Sequence, residues 1–359
     1  MMNDDALQEP ILIALSSDNN GIPGLVATMT SLILSTDKNQ RLDFHLLDAG
    51  MSAQRREHIT AFFAAYPNVT VSFHRVDVSV FEKIGAPSFE GGVWSPYARL
   101  FLYTLIPDKK CLYFDTDFLV LKDVREIWAT NLEGIAFAAC VDMTKGGVTN
   151  PGRLDTYCEL EPAEILSQFP YYNSGFLLIN LDFWRDFMFI EKAIALCKQH
   201  GKRIGLHDQG LLNYIFRGKT KTLPLEWNYM PWWTRPAIRN ANYHLTSKWK
   251  PWGLGSFQPV GKIWWALYDN HIKPRWDVAV ETQKKMKGLR IWLKEYGIPC
   301  LAPEFYCFLR KAFKNDPPNF RKYSPALLKA IRKTVFCGPD AETKETIAFY
   351  KEKFRRGSS

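Results

Sequence analysis

Two aspartates one residue apart, Asp115-Thr116-Asp117, end the apolar run Cys111-Leu112-Tyr113-Phe114. In an extended segment side chains alternate between faces, so positions two apart point the same way. Two carboxylates leaving a strand together make a hard, oxygen-rich site for a divalent cation. Such a site suits a substrate that brings phosphate oxygens of its own. A bare Asp-x-Asp is also a common way to close a strand with solvated charge. The weight of the motif rests on what the chain places around it.

The positioning elements can be read from periodicity. Pro10 to Leu15 is a continuous apolar run followed by polar Ser16-Ser17-Asp18-Asn19-Asn20-Gly21, the pattern of a buried strand feeding a loop. Leu25–Leu34 has helical spacing, Phe44–Asp48 reads as a strand, Ala53–Tyr66 as a helix and Val69–Phe73 as an alternating strand. Strands and helices taking turns imply βαβ units and a mostly parallel sheet. Ligands gather beyond the carboxyl ends of such strands, where Asp18 and Asp115 would both sit. Further strands are expected at Gly134–Cys140 and Phe176–Asn180, and helices over Tyr97–Leu105, Phe183–Lys198 and Gln209–Phe216. Leu223–Tyr268 is irregular and holds seven Trp, the kind of stretch that lines a site or caps a fold. A boundary is expected near residue 275, giving an α/β catalytic domain over 1–275 and a helical region over 276–359.

Composition narrows the function classes. The chain has 359 residues, enough to bury a sizeable core, and 47% hydrophobic content argues against disorder. No 18-residue apolar stretch is present, so no transmembrane helix is expected. The start, Met1-Met2-Asn3-Asp4-Asp5, is acidic and unlike a secretory signal. Seven scattered Cys without a C-x-x-C pair read as reduced thiols, so the cytoplasm is the expected compartment. The net charge is +9, yet residues 281–359 carry 18 Lys/Arg against 8 Asp/Glu, a balance of +10, which leaves about −1 for the first 280. A near-neutral 1–280 argues against a nucleic-acid groove. The basic excess suits an anionic membrane surface, as does the amphipathic segment Phe305, Phe308, Leu309, Arg310, Lys311, Phe313 and Lys314. Plain packing of the tail on the catalytic domain is the alternative.

Several separated motifs recur in one order: Ser17-Asp18-Asn19-Asn20, Tyr97-Ala98-Arg99-Leu100, Leu112 to Asp117, Tyr172-Asn173-Ser174-Gly175 running to Asn180, His207-Asp208-Gln209-Gly210, and Tyr243-His244 with Lys250-Pro251-Trp252. Together, over roughly residues 10–270, they resemble glycosyltransferase family 8, the group containing bacterial lipopolysaccharide galactosyl- and glucosyltransferases and glycogenin. The resemblance implies a GT-A (Rossmann-like) fold and transfer of glucose or galactose from UDP-glucose or UDP-galactose, with retention of anomeric configuration. It also implies Mn2+, with Mg2+ as the alternative ion, and a glycan or glycolipid acceptor such as lipopolysaccharide core. The enzyme would work in the cytoplasm, peripherally at the inner face of the plasma membrane.

By the same resemblance Asp115, Asp117 and His244 are the cation ligands, and an imidazole beside two carboxylates favours Mn2+ over Mg2+. Lys250 would contact the diphosphate. Asp18 and Asn20 correspond to contacts with base and ribose; as residues alone they are ordinary turn formers. Family members often carry a Tyr after this motif to stack on uracil, and this chain has Gly21. Arg99, Asp142 and Asn173 match donor-sugar contacts. Asp208 and Gln209 would be the mechanistic pair, with Gln209 near the anomeric carbon and Asp208 on the sugar hydroxyls. An amide is a poor nucleophile, which favours front-face substitution over a covalent intermediate on Asp208.

Two other classes bear on the same residues. A haloacid-dehalogenase-type phosphohydrolase also places Asp-x-Asp after an apolar strand. It normally does so near the chain start, with a later acidic element that is lacking here. A sugar-binding protein on an inactive transferase scaffold would be expected to have lost a metal ligand, yet all three are present.

Overall fold

Ile11 to Leu15 is apolar at every position and buried throughout, which a strand can be only when both faces of its sheet are covered. The computed structural model describes residues 9–88, 94–145, 148–149, 152–230, 236–246, 250–252, 260–278 and 340–356. Its strands are β1 (Ile11–Ser17), β2 (Leu42–Asp48), β3 (Val69–Arg75), β4 (Lys110–Phe114), β5 (Phe118–Leu119), β6 (Phe137–Val141), β7 (Thr144–Lys145), β8 (Val148–Thr149), β9 (Tyr172–Asn180), β10 (Thr220–Thr222) and β11 (Tyr243–His244). Seven of them form one sheet in the order β10-β6-β9-β4-β1-β2-β3. β1 is parallel to β2 and β4, β2 to β3, and β10 to β6; β9 alone runs antiparallel, to β4 and β6. The sheet is mixed and mostly parallel, as the alternation of strand and helix patterns implies.

Helices Ile22–Ser35 and Ala53–Phe63 make the crossovers between β1, β2 and β3. The second starts at Ser52, whose Oγ accepts from Arg55 N at 3.3 Å and so satisfies an otherwise orphaned amide. Ile59, Phe62 and Phe63 form its buried stripe, at i, i+3 and i+4.

Three elements differ from the periodicity reading. Tyr97–Leu105 is a 3-10 turn, Ser95–Phe101, followed by one α-helical turn, Leu102–Leu105. The helix expected over Phe183–Lys198 is broken into Leu181–Asp186 and Phe189–His200 by Met188, whose φ of 50° is left-handed. That reversal lets Trp184 and Phe189 both pack on Phe216, at ring-centroid distances of 5.6 and 4.6 Å. Strand β9 starts at Tyr172, ahead of the Phe176 start that the apolar run predicts, so Asn173-Ser174-Gly175 is strand, and all three are buried.

Contacts divide the chain into two compact units, Met1–Thr116 with Val120–Asn228, and Asp117–Leu119 with Tyr229–Ser359. In the second, β5 pairs antiparallel with β11, and helix Gly261–Leu267 runs into a π-turn, Tyr268–Ile272. Helix Ala341–Arg356 packs on both of these through the face that buries Ile347, Tyr350 and Phe354. Its Thr343 Oγ1 accepts from Ala237 N at 2.9 Å. This piece of the basic tail is therefore docked on its own unit, which is the packing alternative of the sequence reading. The amphipathic segment at 305–314 lies outside the described residues. No helix among the described residues is long and apolar enough to cross a membrane.

Candidate active site

Strand β4 delivers Asp115 one residue past its end, where Asp115 N donates to Gly175 O at 2.8 Å. Its carboxylate meets Arg99, carried by the 3-10 turn: Arg99 Nη2 donates to Asp115 Oδ1 at 2.8 Å, and Arg99 Nε pairs with Asp208 Oδ2 at 3.0 Å. Arg99 Nη1 also donates to Ser174 O, and the guanidinium lies 4.4 Å from the Tyr113 ring centroid. Tyr113 OH donates to the same Asp115 Oδ1 at 3.1 Å. A planar, forked cation can satisfy two carboxylates and a carbonyl at once, which a lysine could not. Burial would push Arg99 down, but Asp115 and Asp208 together hold its pKa above the ordinary value. Asp208 moves the other way for a carboxylate: burial raises it, and Arg99 only partly offsets that.

Asp208 and Gln209 open helix His207–Ile215. Leu206 and His207 precede them at φ 40° and 58°, a left-handed pair of non-glycine residues, the kind of backbone strain that clusters at functional sites. Gly210 permits the tight entry, since a Cβ there would stand 1.8 Å from Gly205 O. Gln209 Nε2 donates to Asp142 Oδ2 at 2.9 Å, and Gln209 Oε1 accepts from Ser174 N at 3.0 Å. Asn173 Nδ2 donates to Asp142 Oδ2 at 3.2 Å and to Gln209 Oε1 at 3.3 Å. Asn173 Oδ1 accepts from Gly175 N and from Asn228 Nδ2. Asp142, Asn173 and Gln209 thus form one buried polar network, which Ser174 joins to Asp208: its Oγ donates to Asp208 Oδ2 at 3.4 Å and to Gln209 Oε1 at 3.3 Å.

In the second unit Asp117 is buried against an ammonium and an imidazole. Its Oδ1 lies 3.2 Å from His244 Nε2, and its Oδ2 is ion-paired with Lys250 Nζ, which also donates to Leu245 O at 2.8 Å. Pairing of β5 with β11 brings His244 opposite Phe118, and the two rings stack at 4.3 Å. Burial alone would push the Asp117 carboxyl up, but Lys250 and His244 outweigh it and hold the group below the ordinary carboxylate range. Within this unit Asp117 and His244 offer a carboxylate and an imidazole to a cation, and Asp115 stands two residues before Asp117 in the chain. Two carboxylates and one imidazole suit a divalent cation of intermediate softness such as Mn2+. An acceptor-rich pocket already charge-compensated by a lysine is consistent with a site built for cations.

Asp18, past the end of β1, folds its carboxylate back on the chain: Oδ1 accepts from Asn20 N at 2.8 Å and Gly21 N at 3.0 Å. Asp18 also lines a cavity of about 1100 Å³ beyond the carboxyl ends of β1, β2 and β3. Asn20 is exposed and is not among the residues lining it.

A family model described as glycosyl transferase family 8 matches residues 12–253. The chain belongs to glycosyltransferase family 8. Among curated relatives, a putative glycosyltransferase of Haemophilus influenzae is 29% identical over 64% of this chain and 66% of its own length. The lipopolysaccharide 1,2-glucosyltransferase of Escherichia coli K12 is 24% identical over 73% of this chain and 78% of its own length. The galactosyltransferase LgtC, solved with donor and acceptor sugar analogues, superposes with a TM-score of 0.62 at 23% identity, covering 73% of this chain and 96% of its own. That likeness establishes the GT-A fold.

On this family 8 scaffold the residues named from sequence fall into three places. Arg99, Asp115, Asp142, Asn173, Asp208 and Gln209 are gathered in the first unit, Asp117, His244 and Lys250 in the second, and Asp18 stands at the cavity with Asn20 beside it. Sequence reasoning missed Tyr113, Ser174, Asn213 and Asn228. Asn213 carried a usable signal, since it lies one helical turn after Gln209 and its Nδ2 donates to Gln209 O at 2.8 Å. Asn228, in an aromatic irregular stretch, carried none.

Proposed function

We propose that this family 8 enzyme transfers glucose or galactose from a UDP-sugar to a glycan acceptor, lipopolysaccharide core, with retention of configuration and with Mn2+ held by Asp115, Asp117 and His244. The observation that carries the reading is the buried Asp117 carboxylate, two residues after Asp115, set 3.2 Å from His244 Nε2 and ion-paired with the Lys250 ammonium. Kinship with a lipopolysaccharide 1,2-glucosyltransferase supports the acceptor class. When bound, the cation supplies Lewis-acid stabilisation of charge on the departing diphosphate.

The chain's own residues would do the rest. Lys250 leaves Asp117 for a diphosphate oxygen, adding a charge-assisted hydrogen bond. Asp142, Asn173 and Asp208 hold the sugar hydroxyls, and Arg99 orients Asp208 and Asp115 for that task. The bond from the anomeric carbon to the UDP oxygen breaks while a bond to the acceptor oxygen forms on the same face. The acceptor proton passes to the departing phosphate oxygen. Gln209 favours this front-face route, because both ends of its amide are hydrogen-bonded and an amide is a weak nucleophile. The Arg99 pairing of Asp208 likewise lowers its reactivity as a nucleophile. The enzyme would act in the cytoplasm, at the inner face of the membrane; salt-reversible flotation of the full chain with anionic vesicles tests that attachment.

Titration calorimetry should give UDP binding that requires Mn2+ and is lost in Asp117→Ala. A screen of UDP-hexoses with Mn2+ should show slow hydrolysis of UDP-glucose or UDP-galactose. Metal-independent UDP binding, with no UDP-hexose turned over, would sink the reading and favour a sugar-binding protein.

A further inference from the structure

The cavity beyond β1, β2 and β3 has one aromatic wall that no role assigned so far uses. Trp94 lines it, together with Asp18, Asp48, Arg56, Phe73 and Arg75. The Trp94 indole Nε1–H is buried and has no hydrogen-bond partner among the described residues. A buried donor without an acceptor bears its desolvation cost uncompensated, so such groups call for an explanation such as a missing ligand. Indoles also combine a large π-face with one polar handle, the combination that suits a nucleobase.

Trp94 is also fixed in place. It caps the 3-10 turn that carries Arg99, and its carbonyl accepts from Tyr97 N at 2.9 Å. Ser16, near the end of β1, donates its hydroxyl to Ser95 O at 3.2 Å, which holds this segment beside the strand that leads to Asp18. Gly21 offers the cavity no side chain. Its φ of −81° is ordinary, so conformation does not demand glycine. Space does: a Cβ there would stand 2.5 Å from Ser17 Oγ, and Ser17 would have to move. The remaining walls are less suited. Phe73 has no polar handle, and Arg75 is an exposed, solvated cation.

We propose that Trp94 is the base-recognition residue of this enzyme, stacking on the uracil of the donor and donating its indole N–H to a uracil carbonyl. This rests on the UDP-sugar reading above and assigns to Trp94 the wall that position 21 cannot supply. It also places base recognition on the same 3-10 turn as Arg99.

Calorimetry on the full chain with three probes separates the possibilities: uridine, UDP with Mn2+, and pyrophosphate with Mn2+. Trp94→Ala should weaken uridine and UDP by roughly 5- to 150-fold, the range for loss of one base-aromatic stack, and leave pyrophosphate unchanged. Trp94→Phe, which keeps a ring but loses the N–H, should fall between wild type and Trp94→Ala. Wild-type affinity for uridine and UDP in Trp94→Ala would overturn the assignment while leaving the UDP-sugar reading standing. An equal loss for pyrophosphate would overturn it too, by making Trp94 a structural residue. Failure of the wild-type protein to bind UDP would remove the UDP-sugar reading and this inference together.

Discussion

Asp115 and Asp117 are two residues apart and live in opposite electrostatic settings. Asp115 is held by Arg99, a buried guanidinium locked by Asp208, the Ser174 carbonyl and the Tyr113 ring. Asp117 is held by Lys250, whose side chain keeps 26% of its surface exposed, and by His244. An arginine fork buried among several acceptors is a permanent partner; a lysine ammonium on a flexible stem can exchange one anion for another. The first arrangement builds a scaffold, and the second holds a charge ready to be passed on. A site that must admit a cation and a diphosphate and then release them needs both.

The comparison breaks first at Arg99. Arg99→Lys should cost about 3–5 kcal/mol in chemical denaturation, the loss typical of breaking a buried ion pair, and added Mn2+ should not restore it. A stability loss under about 1 kcal/mol would mean that Arg99 is no scaffold. Asp117→Ala should instead reduce Mn2+-dependent UDP affinity by more than about 100-fold, since even outer-shell partners of a metal ligand are worth 10- to 100-fold. Its stability should fall less than in Arg99→Lys, because Lys250 can reach water. Lys250→Met is expected to raise the KM for the UDP-sugar about 10-fold, the loss of one charge-assisted contact to phosphate, with Mn2+ affinity kept or improved. A fall in Mn2+ affinity would make Lys250 structural rather than exchangeable.

The smallest effect is on acid stability. Asp117's folded pKa lies below its ordinary value of 3.8, so its contribution is present above that value and is lost as pH falls through the folded one. In Lys250→Met part of that depression disappears, and acid unfolding should begin at a higher pH than in the wild type. A separate, weaker slope belongs to the β2–β3 edge, where His45 Nδ1 and His74 Nε2 share a hydrogen bond at 2.9 Å. Burial, and then the neighbouring His45, hold His74 below its ordinary 6.5. Its contribution is therefore present above 6.5 and lost on acidification. His74→Gln should flatten the stability profile below pH 6.5.

Much of the fold was legible because apolar runs report burial directly. β1, β2 and β4 fall where the runs predict them, since strands covered on both faces tolerate few polar residues, and β3 falls where alternation predicts it. The misses have a local cause. Met188 breaks a helix that periodicity carries through, because a left-handed residue lets Trp184 and Phe189 share Phe216, a packing decision with no short-range sign. Asn173-Ser174-Gly175 reads as a turn by composition, yet it is strand because Asp142, Gln209 and Asn228 satisfy its polar groups. Trp94 went unnoticed among twelve tryptophans; only an unpartnered N–H beside a cavity distinguishes it.

By itself the sequence determined the chemistry on offer: two carboxylates at a strand exit, an imidazole and a lysine later in the chain, and the order of motifs shared with family 8. These are matters of residue type and spacing, which no folding event alters. Only the tertiary structure decided which cation belongs to which carboxylate, that Arg99 binds Asp115 to Asp208, and that His244 reaches Asp117 through the pairing of β5 with β11. Electrostatic partnership depends on distance and burial, and both are set by contacts between residues far apart along the chain.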